Sequence, residues 1–359
     1  MSIKRPRGGP SDARAQADTK RPRGGSSDAR AQADTVQVAQ QLADDVLFPA
    51  AVATDASDVI PVELLDALAD AGLYGIVAPP DYGGVSADFA TVCAVLEALS
   101  SGCLTTAFLW MQHIGLVRAV ASSDDQDLRA CWLKPLASGE IRAGLALGGA
   151  LPKASLHAVA DGDGWLLDGV SPFVSGCGRI DVMHAAARSP DNDILWLIVD
   201  AAENGAIRTE RLRLATLNAT ATVRVTFNGL HISAERVTGT HPASGVTPPE
   251  VLRTHAALAL GVTARCCRML GPTALDAELA AVRTELDGLG PETPAARAAA
   301  GELALRAASA LMTAEGSKAL LASGQAQRLA REALFTLVYA LRPASRSAVL
   351  TTLGAPELA

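Results

Sequence analysis

Side chains able to do chemistry unaided are few in this sequence, and their spacing excludes several reactions. The six cysteines (Cys93, Cys103, Cys131, Cys177, Cys266, Cys267) form no CxxC or Cys/His ligand pattern, so neither a metal centre nor a redox pair is expected. They read as buried thiols of a reducing cytoplasm. His113 and His255 fall on segments of helical period and read as hydrogen-bonded or interface histidines, and Arg346 as the partner of a nearby acid. Two KRPRGG runs, at residues 4–9 and 20–25, read either as an anion-binding arm or as a solvated tail.

Those two runs belong to a tandem duplication. Residues 4–19 and 20–35 are identical except that Pro10 becomes Ser26. With almost no apolar bulk, residues 1–35 are expected to be a disordered tail. The tail carries eight Lys/Arg and four Asp; removing them from the 31 basic and 38 acidic residues of the whole leaves the body at a net charge of −11. An acidic body argues against nucleic-acid binding. No stretch approaches the roughly 20 apolar residues of a membrane span, and no apolar signal core follows the N-terminal charges. The expectation is a cytoplasmic protein without a membrane anchor.

The elements that must position any site follow from periodicity. With 49% hydrophobic but only 4% aromatic residues, the composition suits helices packed on helices. Residues 36–139 show helical spacing, as in Val38, Leu42, Val46 and Leu64, Leu65, Leu68. Residues 140–245 switch to short β-branched runs, including Ile194 to Val199 and Val223 to Phe227. Turn signals bound them at Asp161-Gly162-Asp163-Gly164, Pro190-Asp191-Asn192-Asp193 and Asn228-Gly229. Residues 246–359 return to helical period, broken between Asp287 and Pro294 by Gly288, Gly290, Pro291 and Pro294. The order is an N-terminal helical domain, a middle β-barrel or sheet domain and a C-terminal helical bundle, an α+β architecture.

Four segments carry a family resemblance in that order: Leu73 to Gly84 (LYGIVAPPDYGG), Trp132 to Glu140 (WLKPLASGE), Val225 to Val237 (VTFNGLHISAERV) and Ala259 to Arg265 (ALGVTAR). Together they resemble the acyl-CoA dehydrogenases, with Val225 to Val237 similar to the strand pair that closes that family's β domain. The resemblance implies an oligomer, a homodimer or homotetramer or possibly a hetero-oligomer, with bound FAD and an acyl thioester substrate on CoA or a carrier protein.

In that family a strand of the type (W/F)-I-(S/T)-N-(G/A) contacts the flavin ring. Phe173-Val174-Ser175-Gly176 stands at its place, followed by Cys177-Gly178. The resemblance implies that Phe173 flanks the ring, Ser175 hydrogen-bonds near N5 and the glycine permits close approach. Without it, the segment reads as a barrel strand running into a Gly turn. The family's LTEPxAGSD turn is represented by residues 145–153, which hold no side-chain hydroxyl or carboxylate, leaving backbone groups of Leu145 and Leu147 for the pyrimidine edge. Around Arg283 no Phe-Gly follows, and no glycine-rich loop follows Ser323-Gly324, so contacts to the FAD tail are missing.

The family removes a substrate α proton with the glutamate of an RDA-x5-Y-E-G-T segment. Arg331 to Arg342 aligns with it without a gap and places Ala340 at the glutamate. A methyl group accepts no proton. Some relatives carry the base ten residues before the glycine of ALG, here Val251, and the adjacent Glu250 is the candidate replacement. Three functions remain open: a flavin-dependent dehydrogenase with a relocated base, a flavin monooxygenase or hydroxylase of the same superfamily, and a non-catalytic subunit of a hetero-oligomeric dehydrogenase.

Overall fold

The structure is a computed structural model that describes the backbone of residues 25–356 and the side chains of residues 29–356. The described residues open with α1 (Gly25–Leu42), a π-helical turn (Ala43–Leu47), α2 (Phe48–Asp55) and α3 (Val62–Asp70), then α4 (Phe89–Gly102), α5 (Leu104–Ala121) and α6 (Gln126–Ser138). The start of α1 corrects one expectation. Residues 25–35, assigned to the disordered tail, form its first turns, while the rest of the repeat lies outside the described residues. Alanines at 29, 31 and 33 favour helix, and the Gln32 carboxamide hydrogen-bonds Thr91 Oγ1 at 2.7 Å, which gives the polar segment a tertiary partner.

Eight strands follow: β1 (Ala143–Ala146), β2 (Leu156–Asp161), β3 (Gly164–Val174), β4 (Val182–Arg188), β5 (Asp193–Asp200), β6 (Ile207–Arg211), β7 (Val223–Ser233) and β8 (Val237–Pro242). They build one sheet in the order β6-β7-β3-β2-β4-β5-β8, with β1 parallel to β4. Two hairpins turn where expected, β2–β3 at Gly162 and β4–β5 at Asn192, both residues at positive φ. Asn228-Gly229 does not turn the chain. It is a bulge inside β7, where the pairing with β3 slips between Leu167 and Gly169 and the Asp168 carboxylate accepts the Gly229 N–H at 2.7 Å. Residues 225–233 are therefore one bent strand rather than a strand pair.

The last block holds α7 (Pro249–Leu270), α8 (Ala274–Asp287), α9 (Thr293–Glu315), α10 (Gln325–Val338) and α11 (Pro343–Thr352). One apolar core joins α4, α5, α7, α9 and α10 through Leu96, Leu99, Leu104, Leu258, Leu303 and Leu329. A second, with Leu167, Met183, Leu197 and Phe227, lines the sheet. Close approach explains two motif glycines. A Cβ on Gly84 would stand 2.0 Å from the Ala78 carbonyl, and one on Gly261 would stand 2.4 Å from the Glu97 carbonyl where α7 crosses α4. No described helix is long and apolar enough to cross a membrane.

Candidate functional site

The sheet presents its candidate residues where β3 ends beside β1. Phe173 is 65% exposed, whereas Val174 and Ser175 are buried. Alternation along β3 puts Phe173 and Val174 on opposite faces, and Ser175 is buried just past the strand's end. The Ser175 hydroxyl pairs with Thr222 Oγ1 at 2.7 Å, and Thr222 continues to Thr220 Oγ1 at 2.8 Å. Gly176 takes a φ of 96° and its N–H donates to the Thr220 carbonyl at 2.6 Å, so the chain leaves the strand in a turn fastened to the segment before β7.

Across from it, β1 is tied to α5. The Leu145 N–H donates to Gln112 Oε1 at 3.2 Å, and the Ala143 N–H donates to His113 Nδ1 at 3.1 Å. Because Nδ1 accepts, the His113 proton resides on Nε2 and is donated to the Leu136 carbonyl at 3.0 Å. Burial pushes this imidazole down to about 4. Leu147 is half-buried at the start of a tight turn, with its carbonyl accepting the Ala150 N–H. The carbonyls that follow are claimed by two arginines: Arg188 donates to Gly149 at 2.8 and 3.0 Å, and Arg342 donates to Ala150 at 3.0 Å.

The C-terminal helices place Ala340 just past the end of α10, exposed and at a φ of 53°. Beside it Tyr339 sits in a ring cluster, 5.0 Å from Phe108, 5.0 Å from His255 and 5.3 Å from Phe335 between centroids. His255 is the residue of α7 that reaches Tyr339. Helical geometry puts Val251 on the same face as His255 and Glu250 about 140° around the axis from it. Glu250 is exposed on the first turn of α7, so the base role expected of it finds no support in this arrangement. Burial and the guanidiniums of Arg297 and Arg342 hold the His255 imidazole down at about 3.

Other expectations meet different outcomes. Cys93, Cys103, Cys266 and Cys267 are buried, but Cys131 is exposed and Cys177 half-buried. Arg346 is exposed and makes no ion pair among the described residues. Arg283 bonds Glu97 at 2.8 and 2.9 Å within its own protomer. Among the described residues no group of three His, Cys, Asp or Glu could hold a metal ion. Two hollows stand out, one of about 380 Å³ around Arg142, Arg179 and Asp181 and one of about 520 Å³ between α1 and α4; Gly139, Glu140 and Gly178 of the sequence motifs border the first, but none of Leu145, Leu147, Phe173 to Gly176 or Glu250 lines either. The ring cluster escaped sequence reasoning, although Phe335 and Tyr339, four residues apart on a helical segment of a chain poor in aromatics, were a signal.

A family model described as the acyl-CoA dehydrogenase N-terminal domain matches residues 29–140. The butyryl-CoA dehydrogenase of Megasphaera elsdenii superimposes with a TM-score of 0.77 over 90% of this chain and 97% of that one, at 16% identity. The chain belongs to the acyl-CoA dehydrogenase superfamily. Among curated members, a (2S)-methylsuccinyl-CoA dehydrogenase of Cereibacter sphaeroides is 30% identical over 42% of this chain. A 3-sulfinopropanoyl-CoA desulfinase of Paraburkholderia xenovorans is 27% identical over 55%. The matched stretches span 28% and 53% of those two relatives.

For this superfamily member the flavin question can be put to the geometry. The exposed Phe173 ring offers an apolar face, but the Leu145 N–H is spent on Gln112, the Ser175 hydroxyl is paired with Thr222, and Arg283 is spent on Glu97. These residues do not fit an FAD held by this chain alone.

Proposed function

We propose that the chain is a subunit of an acyl-CoA dehydrogenase-type oxidoreductase that does not itself remove the substrate proton, and that it works paired with a second subunit of the same fold that holds the flavin and the base. The substrate class is an acyl thioester carried by CoA or a carrier protein. The observation that supports this reading is Ala340: the register of the family resemblance assigns the proton acceptor's position to this methyl-bearing residue, which is exposed and turned past the helix end. Abstraction of an α proton needs a carboxylate within hydrogen-bond reach, and Glu250 lies on another face of α7. Exposed apolar residues on the C-terminal helices, Leu334 and Val338 of α10 with Leu320 and Leu321 before it, supply a surface that suits a partner.

The experiment is purification of the chain alone and together with a dehydrogenase-like partner subunit. Alone, it should carry no visible flavin spectrum and oxidise no member of an added acyl-CoA series; the pair should carry flavin that acyl-CoA bleaches. A flavin-bearing chain that is reduced by acyl-CoA without a partner would overturn the proposal. The exposed Phe173 face favours a second reading, flavin chemistry that needs no α-proton base, as in a monooxygenase. Flavin in the isolated chain, oxidised by oxygen but not reduced by acyl-CoA, would select it.

A further inference from the structure

Between β6 and β7 the backbone turns left-handed twice within five residues, at Leu217 (φ 58°) and Ala221 (φ 50°). A Cβ opposes that conformation, and for a residue as bulky as leucine it is an outlier. The segment is nevertheless packed away from water. Leu217, Ala219, Thr220, Ala221 and Thr222 are each at most 4% exposed, whereas loops ordinarily run over the surface. Strained backbone persists only where its surroundings over-determine it, and it collects at functional sites.

The contacts that hold it come from three sides. From the α2–α3 connection the Ile60 N–H donates to the Ala219 carbonyl at 2.8 Å, and Asp58 Oδ1 accepts the Asn218 side-chain N–H at 3.0 Å. From α10 the Arg331 guanidinium donates to the Ala215 carbonyl at 3.3 Å and to Asp55, at the end of α2, at 3.1 Å. The third side is the end of β3. There the Gly176 N–H is donated to the Thr220 carbonyl, and Ser175, Thr222 and Thr220 form a chain of hydroxyls that ends on the Leu217 carbonyl at 2.7 Å. A carbonyl only accepts, so the Thr220 proton goes to Leu217, the Thr222 proton to Thr220 and the Ser175 proton to Thr222. The strained residue at one end of the chain thus sets the direction of the Ser175 hydroxyl at the other.

We propose that residues 214–222 are a sprung strap, latched by Arg331 and Asp58, whose release frees the β3 end at Ser175 and Gly176. While the strap is latched, the Ser175 proton and the Gly176 amide are both turned inward. Release returns two donors to the strand end that the family resemblance assigns to a ligand. Arg331 lies three residues before Leu334, on the same side of α10. A partner on that apolar face therefore reaches the latch, and this last link rests on the proposed function; the strap itself needs neither partner nor flavin.

The test is hydrogen exchange on the full chain alone, without flavin, acyl-CoA or partner, so its failure is separate from failure of the proposed function. Arg331→Met, which cuts the bonds to Ala215 and Asp55, should speed exchange of the Gly176 amide about tenfold, the loss expected for one charged hydrogen bond. The β4–β5 hairpin should keep its wild-type rate. Asn218→Ala, which cuts the tie to Asp58, should also speed Gly176 exchange. Ala221→Gly relieves the spring and should slow that exchange about threefold, and in the Arg331→Met background it should move the rate back toward wild type. An unstrained loop loosens on gaining a glycine, so the sign of this change separates a sprung strap from a plain tether. Should Arg331→Met fail to fold, Asn218→Ala and Ala221→Gly decide. Faster Gly176 exchange in Ala221→Gly, or unchanged exchange when the ties are cut, would overturn the proposal.

Discussion

Arg283 donates to the buried Glu97 carboxylate at 2.9 Å, and Glu97 also takes Arg253 at 2.8 Å. One carboxylate thus ties α8 and α7 to α4, and Arg283, near which the family's FAD-tail motif would fall, is a bracket within the chain. Arg283→Ala should therefore lower stability by about 1–2 kcal/mol, the scale of a charged hydrogen bond at a partly exposed group. Glu97→Gln should cost more, because it leaves Arg253 buried without its main counter-charge. Urea unfolding of both variants checks the order; a greater loss in Arg283→Ala would contradict it.

The Arg328–Glu332 pair lies on one face of α10, both side chains buried and 2.6 Å apart. Burial raises the Glu332 carboxyl above its usual range, and one atom of each partner has no further hydrogen bond. Arg328→Ala should cost about 3–5 kcal/mol, since it strands a buried acid, whereas the apolar double variant Arg328→Met/Glu332→Leu should recover most of that loss. The comparison is a pair of denaturant midpoints at equal slope. A double variant no better than the single one would show that the pair itself is worth its desolvation.

Acid should destabilise the protein through its neutral histidines, His255 and the two that are fully buried, His113 and His184. His113 is held at about 4 and His184 at about 3, both by burial, against about 6.5 when unfolded. The folded state binds fewer protons than the unfolded chain, so this stability is fully present above pH 6.5. It is lost as pH falls toward the folded values. At pH 5 each histidine should cost about 2 kcal/mol relative to pH 7. His184→Gln, which can keep a bond to Thr238 Oγ1, should show a smaller difference between the two pH values than the wild type; an equal difference would remove His184 from the account.

The helix–sheet–helix order was legible because hydrophobic period depends on local burial, and the hairpins at Gly162 and Asn192 because positive φ selects Gly and Asn. Asn228-Gly229 carries the same signal, but Asp168 across the sheet uses it for a bulge, and a cross-strand partner is invisible in a local pattern. Gln32 likewise gains helix order from Thr91, 59 residues away. At the site, the assignment of Ala340 to the base position rests on register alone. The Leu145 N–H bonded to Gln112 and the Arg297 guanidinium bonded to the carbonyls at the end of α10 could not be read, because both follow from which helix packs where.

Ala340 also stores backbone strain that a single substitution can release. Its φ of 53° lies in the left-handed region, one residue past the Tyr339 cap of α10, where glycine is the favoured residue. A non-glycine residue there costs on the order of 1 kcal/mol. Ala340→Gly should therefore stabilise the chain by about 0.5–1 kcal/mol, with the added entropy of the unfolded glycine offsetting part of the relief. Ala340→Glu keeps the strained φ and, because the position is exposed, should change stability by less than about 0.5 kcal/mol. It should not confer dehydrogenase activity on the isolated chain, since restoring a carboxylate there supplies neither the flavin contacts nor a partner. Chemical melts of the two variants, with an acyl-CoA assay of Ala340→Glu alone, test both halves. A glycine variant less stable than wild type would refute the strain, and turnover by Ala340→Glu without a partner would show that the base was all the chain lacked.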